Sequence, residues 1–399
     1  MPLTDQLSKD DPTDQLGLKL LAARGSQDSG GRRPARRLRR RRFQFRFVTI
    51  WVLLAGLFLA SAVVVPASLQ PTSVAAILPF IAFAAIAGMG EALVMMVGGM
   101  DLSIPAVIGL VAVCLVSLSA WSVPLTIGVV LAMALAVGLA NGIMVCVLRL
   151  NTLLVTLSVN TVLTGGMQWY LSTLRLQSRV APSLSDWAAS QALGINYPVW
   201  VAIGLTLALT WALTFTPVGR RFSAVGANPS AAWVAGLSVQ RYQIGAYVAG
   251  AGLYGIAGVL LSAFIRTPSS DVGAPYLLGP VAAVVLGTGT IAPGVGSMIA
   301  TFVGAAFLTQ LDQVLKVMGL PSSAQYIVQG AAIAGGMAMA SVPSLGKGEQ
   351  LRDFVRWKGR RSRPSLSRRQ VDEPDLLAAQ SPATDQPGGG ARNVGGNQP

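Results

Sequence analysis

The 399-residue chain contains no histidine, so the usual general base, the nucleophilic triad and imidazole metal ligation have no residue to carry them. Its two cysteines, Cys114 and Cys146, stand singly inside apolar runs and point to neither a disulfide nor a metal. No G-x-x-x-x-G-K-[ST] phosphate loop occurs, so nucleotide hydrolysis by that route would need another polypeptide. What remains is a small set of polar groups in apolar surroundings. Glu91 falls roughly 9 Å inside the end of an apolar run, counting helical rise. It reads as a ligand or proton site facing a polar cavity or, more simply, as an acid near an interface paired with a donor from a neighbouring helix. A second group is Thr156, Ser158, Asn160, Thr161, Thr164 and Gln168, clustered in one run. Such hydroxyls and amides, Thr156, Asn160 and Thr164 above all, suit a path for a small polar solute. They suit inter-helix hydrogen bonds equally well.

The elements that must position these groups are membrane helices. Hydrophobic residues make up 52% of the chain and charged ones 12%, about half the share of an ordinary soluble domain. Reading from Phe47, ten apolar runs approach the roughly 20 residues that a bilayer span requires. They cover 47–66, 74–97, 104–121, 123–148, 153–174, 198–216, 242–265, 274–292, 296–311 and 323–341. The pattern predicts an all-α polytopic membrane protein of about ten transmembrane helices. The eighth and ninth runs are short and interrupted by glycine, so one of them is expected to be broken or re-entrant. Pairs of small residues four apart (Gly138/Gly142, Ala246/Gly250, Ala251/Gly255) predict close helix packing within the chain.

The formal charge of +14 is unevenly placed. Residues 1–46 hold 12 Lys/Arg and 5 Asp/Glu, residues 47–346 hold 8 and 5, and residues 347–399 hold 10 and 6. Three regions follow: a basic tail (1–46), a membrane domain (47–346), and a tail (347–399) that is basic and then, from about Ser365, Ser-, Pro- and Gly-rich and expected to be disordered. The nine arginines between Arg32 and Arg46 abut the first run. Placed there, they mark the cytoplasmic side rather than a nucleic-acid site. With basic residues at both ends and an even number of spans, both termini are expected in the cytoplasm, and no cleaved signal peptide is visible.

Two segments carry more specific patterns. In the first, a run ends at Gly98-Gly99 and is followed by Met100-Asp101-Leu102-Ser103. The glycines permit a tight turn, and Asp101 or Ser103 can cap the next helix. The second is the connection 217–241. Gly219, Arg220, Ala224 and Gly226 precede Asn228-Pro229, a helix start, and the short Ala-rich helix bearing Ala231, Ala232 and Trp233 stops at Gly236. A surface helix of small residues with one Trp suits docking to a partner.

These two segments resemble the membrane permeases of bacterial ATP-binding-cassette importers for simple sugars, the ribose/xylose/galactose class. The family's GGIDLS-type motif appears as Gly98-Gly99-Met100-Asp101-Leu102-Ser103, and its cytoplasmic loop pattern as Gly219, Arg220, Ala224, Gly226, Asn228, Ala231, Ala232 and Gly236. Asn141-Gly142, Thr156-Leu157, Gly252 to Gly258 and Leu286-Gly287-Thr288 to Gly296-Ser297 extend the match over roughly residues 74–340. Pro105 stands where the family usually has Gly, Glu91 is not its usual choice, and Ala292-Pro293-Gly294 replaces a common Gly pair. The resemblance implies a type II-like importer permease in the bacterial inner membrane. It implies a homodimer, or a pairing with a sister permease. Two ATPase subunits would carry the ATP and Mg, and a periplasmic solute-binding protein would deliver the solute. The 217–241 loop would couple to the ATPase. This chain itself would bind no cofactor, metal or nucleic acid and catalyse no reaction. The rival reading, an ion-coupled secondary transporter, would have to rely on Glu91 and Asp101.

Overall fold

The computed structural model describes residues 34–173, 179–289, 292–321 and, within 323–335, all but 326 and 333. The expectations for residues 1–33, for the C-terminal tail and for the end of the tenth run lie outside the described residues. Twelve helices and one two-stranded hairpin are described in order. They are α1 (Pro34–Val64), α2 (Pro71–Met96), α3 (Ile104–Ser117), α4 (Val123–Cys146), α5 (Thr152–Thr173), α6 (Pro182–Ala189), the β1–β2 hairpin (Gln191–Ala192 with Ile195–Asn196), α7 (Tyr197–Phe215), α8 (Pro217–Ala227), α9 (Pro229–Val234), α10 (Val239–Ile265), α11 (Gly279–Thr288) and α12 (Met298–Val317). Proline sets many of the starts. Beyond α1, eight of these helices carry it in their first two positions, where its missing N–H has no partner to lose and its fixed φ already suits a helix.

The chain is an all-α polytopic membrane protein. Among the described residues six stretches are long and apolar enough to cross a bilayer: α2, α4, α7, α10, α12 and the stretch Ser270–Thr288. The apolar parts of α1 (Thr49–Val64) and α3 are shorter. The fifth run forms α5, whose polar residues lower its hydropathy, and the tenth is only partly described. Of the eighth and ninth runs, one of which is expected to be broken, the eighth is interrupted, while the ninth forms the continuous α12. A 3-10 segment (Ser270–Tyr276) leads into the ten-residue α11, which ends at Gly289 with a left-handed φ of 62°.

Helices α2 and α10 lie at the centre. The most apolar stretch of α10 is 67% buried and those of α2 and α12 61% each, against 22% in α4 and α7, and α2 packs against both α10 and α12. Because lipid tails are as apolar as leucine, burial alone does not drive these helices together, and close packing through small residues must do so. The glycines show where. A Cβ on Gly138 would meet Ala251 Cβ and the Tyr247 carbonyl at 2.6 Å, one on Gly255 would meet Ala134 Cβ at 2.8 Å, and one on Gly90 would meet the Gly250 carbonyl at 2.8 Å. The small-residue pairs of α4 and α10 therefore serve packing inside the chain. Phe83, Ile86, Ile108, Tyr254 and Leu261 fill the core around these contacts.

Candidate functional site at the Gly98–Ser103 loop and the α8–α9 connection

Helix α2 ends in a Schellman turn. Gly98, with φ 87°, donates its N–H to the Met95 carbonyl, and Gly99 donates to the Val94 carbonyl. Only glycine takes that left-handed φ at no steric cost. Gly99 has a second reason to lack a side chain, since a Cβ there would lie 2.5 Å from the Tyr247 hydroxyl. The turn delivers Met100–Ser103 into the interior, where Asp101 and Ser103 have no exposed surface.

A buried irregular loop must find partners for its backbone polar groups, and here a neighbouring helix supplies them. Thr152, Thr156 and Asn160 are spaced by four on α5 and form one stripe. The Met100 N–H donates to Thr152 Oγ1 (3.3 Å), Leu102 N–H to Thr156 Oγ1 (3.1 Å) and Ala106 N–H to Asn160 Oδ1 (3.1 Å). Thr152 Oγ1 also donates to the Met100 carbonyl at 2.8 Å and lies 2.5 Å from the Tyr247 hydroxyl. The side-chain acceptor for the start of α3 thus comes from Asn160 on another helix. Ser103 occupies the N-cap position without capping through its own side chain. Asp101 turns back on the loop instead, accepting the Ser103 N–H (2.9 Å) and hydroxyl (2.6 Å) on Oδ1.

Glu91 lies directly beneath. It has no exposed surface and accepts the Asp101 N–H on both oxygens (3.1 and 3.3 Å) and the Tyr254 hydroxyl on Oε2 (3.1 Å). Asn141 of α4 donates to Ser103 Oγ at 2.9 Å. Five elements (α2, the loop, α4, α5 and α10) therefore meet in one polar cluster. Of the candidate path residues, Thr156 is buried and Asn160 half-buried, both engaged with the loop, while Thr164 is half-buried about one turn beyond Asn160 on α5. Sequence reasoning left out Thr152, Tyr247 and Tyr254. The spacing of four from Thr152 through Thr156 to Asn160 was the one signal available for Thr152.

The second group of residues forms a surface next to the end of α2. Gly219 and Gly226 of α8 are buried, whereas Arg220, Ala224, Asn228, Pro229 and Ala231 are exposed. A Cβ on Gly219 would overlap the Leu213 backbone, and one on Gly226 would overlap the Met96 carbonyl oxygen. That same oxygen accepts the Gly294 N–H at 2.7 Å, so three backbones cross at one point. Asn228 caps α9 by accepting the Ala231 N–H at 3.0 Å. Gly236, φ 82°, closes α9 in a second Schellman turn with the Leu237 N–H on the Ala232 carbonyl. Ala232 packs inward with Val97, Val225 and Ala246. Trp233 and Val234 point outward, 72% and 79% exposed. Among the described residues no group of three or more His, Cys, Asp or Glu side chains gathers to hold a metal.

A helical bundle whose interior is organised around a buried polar loop, with a separate amphipathic connection at one end, is the frame of a membrane permease. Residues 73–335 match the family described as branched-chain amino acid transport system / permease component, and the chain belongs to that family. Among curated proteins it is 30% identical to an L-arabinose ABC transporter permease protein of Azospirillum brasilense over 69% of this chain and 81% of the relative. It is 30% identical to the ribose import permease protein of Escherichia coli K12 over 66% and 81%. It is 31% identical to an autoinducer 2 import system permease protein of Enterobacter sp. (strain 638) over 59% and 68%. No solved structure matches the chain. Its relatives are permease subunits of transporters rather than enzymes, and the chain is a multi-pass membrane protein of the permease family.

Proposed function

We propose that the chain is the permease subunit of an ATP-binding-cassette importer in the bacterial inner membrane. It would pass a monosaccharide or a related small polar solute, driven by a separate ATPase that holds the ATP and Mg. A periplasmic solute-binding protein would deliver the solute, and a second permease copy would complete the path. The arabinose and ribose permeases among its relatives support the solute class.

The observation that carries the reading is the α8–α9 connection. It is firmly seated from below by Gly226 and Ala232, yet presents Trp233, Val234 and Ala231 outward, with no covering element among the described residues. A rigid knob of that kind suits a cleft on an ATPase, and closure of the cleft would move the bundle as a body. This side would be cytoplasmic, with both termini. The solute path would run along the exposed face of α5, where Ser158, Thr161, Gly165 and Gln168 follow a helical stripe opposite the loop-binding one. Polar groups do not favour lipid, so a second copy would cover that face.

Ala231→Glu tests the docking. Ala231 is exposed, so the variant folds and inserts normally, whereas Ala232→Glu would bury a charge within its cluster. In proteoliposomes with the ATPase and binding protein, Ala231→Glu lowers uptake and solute-stimulated ATP hydrolysis by on the order of tenfold or more, the scale expected when a charge enters an interface core. Wild-type values for both would refute the proposed site.

A further inference from the structure

Two buried side-chain oxygens of the polar cluster lack a donor: Asp101 Oδ2 and Asn141 Oδ1. Both belong to residues with no exposed surface. They sit at the two ends of a chain already joined on one side. Asn141 Nδ2 donates to Ser103 Oγ (2.9 Å), and Ser103 Oγ donates to Asp101 Oδ1 (2.6 Å). Beside them, Glu91 holds the Asp101 N–H.

The cluster is rich in acceptors and empty of cations. Among the described residues the ion pairs are Arg266–Asp186 and Lys316–Asp312, and neither involves these two acids. The titratable groups that face the pair are Tyr247 and Tyr254 of α10, both buried. Helix α4 meets it with Asn141, α5 with Thr156 and the start of α3 with Ser103, all uncharged. Two negative charges buried side by side without a cation repel each other and are costly to hold in place. Orphaned acceptors in a buried site carry a separate cost of their own.

One proton removes both difficulties. It cancels one charge and turns an acceptor into a donor. Both Glu91 oxygens already have donors, whereas one Asp101 oxygen has none. We propose that the Glu91–Asp101 pair binds a single proton, seated on Asp101 Oδ2 and donated to Asn141 Oδ1. Asp101, Ser103 and Asn141 then form a closed ring of hydrogen bonds that fastens the Gly98–Ser103 loop to α4. Burial pushes the Asp101 carboxyl above its ordinary value, while the two bonds from Ser103 pull the other way. Release of the proton places a second negative charge in the cluster and opens the ring. The loop that holds α5 is loosened as a result.

The folded chain keeps a proton that the unfolded chain gives up above about pH 4. It therefore binds more protons than the unfolded chain, and stability declines as pH rises from there through the raised folded value. Three preparations of the full-length protein test the proposal: wild type, Asp101→Asn and Asp101→Ala. At neutral pH the infrared spectrum of the wild type shows the carbonyl band of a neutral, buried carboxylic acid, which Asp101→Asn abolishes. The wild-type melting temperature falls with rising pH, and the fall is smaller in Asp101→Asn. The amide of Asp101→Asn supplies a permanent donor at the same position, so at about pH 5 it melts within a few degrees of wild type, while Asp101→Ala, which leaves Asn141 and Ser103 without that partner, melts lower than both. Absence of the neutral-acid band, or a band that survives in Asp101→Asn, overturns the proposal. So does a sodium-dependent rise in wild-type melting temperature that Asp101→Asn lacks, which would make the occupant a metal cation. Failure of Asp101→Asn to fold would also overturn it, since a neutral isostere must be tolerated where a neutral acid stands.

Discussion

Gly226→Ala isolates the crossing of backbones between α8 and the end of α2. The methyl would overlap the Met96 carbonyl oxygen and lie 2.5 Å from the Gly294 nitrogen. Both neighbours are main chain, so no rotamer change relieves the clash, and α8 must retreat by on the order of 1 Å to restore contact distance. Overpacking of this kind costs roughly 1–3 kcal/mol. The retreat also strains the 2.7 Å bond from the Gly294 N–H to the Met96 carbonyl, a further 0.5–1.5 kcal/mol or so. The control is Gly245→Ala, in the first turns of α10, where a Cβ meets nothing within 4 Å. There the gain in helix propensity, about 0.5–1 kcal/mol, is the whole effect. The paired measurement is melting temperature of the purified full-length variants together with reconstituted uptake. Gly226→Ala melts lower than wild type by several degrees and takes up less solute, while Gly245→Ala melts at or above wild type. If both variants melt alike, the crossing is soft and the reasoning from the close approach fails.

Other substitutions probe the loop from its remaining sides. Thr156→Val keeps shape but removes the acceptor for the Leu102 N–H, and Asn160→Ala removes that for Ala106. Each costs about 1–3 kcal/mol by leaving a buried donor unpaired, read as a lower melting temperature, and an unchanged value would show that the stripe does not hold the loop. Tyr254→Phe fills the same volume but takes one donor from buried Glu91, at about 1–3 kcal/mol for a buried polar group that loses its partner. A thermal midpoint equal to wild type would mean that Glu91 has no need of that hydroxyl.

How far the sequence reveals this arrangement depends on the range of each interaction. The turns at Gly98-Gly99 and at Gly236 are readable because a left-handed φ leaves glycine as the natural residue and because the helical pattern stops there. The start of α9 is readable for a similar local reason, Asn at the cap followed by Pro. The polar cluster is not readable in this way. Its hydrogen bonds join residues 38 to 163 positions apart, apart from those within Glu91–Ser103, and a single chain carries no mark of which helix faces which. The polarity of α5 was visible, but not that its two faces differ. Thr152, Thr156 and Asn160 hold backbone, while Ser158, Thr161 and Gln168 stand on the open side. Gly226 and Gly294 show the same limit, since glycine announces a permissive backbone without saying which carbonyl comes close.

These contacts make one continuous structure of two segments that look separate in sequence. The Met96 carbonyl meets α8, and five residues later Asp101 is gripped by Glu91, Ser103 and, through Ser103, Asn141. The same short stretch carries the N–H groups that Thr152, Thr156 and Asn160 of α5 accept. Movement of α8 against α2 therefore has a short route to α5 that passes through backbone hydrogen bonds rather than long side chains. Backbone is the stiffer connection, because it has no rotamers through which a displacement can dissipate. That gives a physical reason for burying a polar loop despite its cost. An apolar loop would pack against α5 without fixed register, whereas three N–H groups on three acceptors spaced by four hold the helix at one rotation and one height.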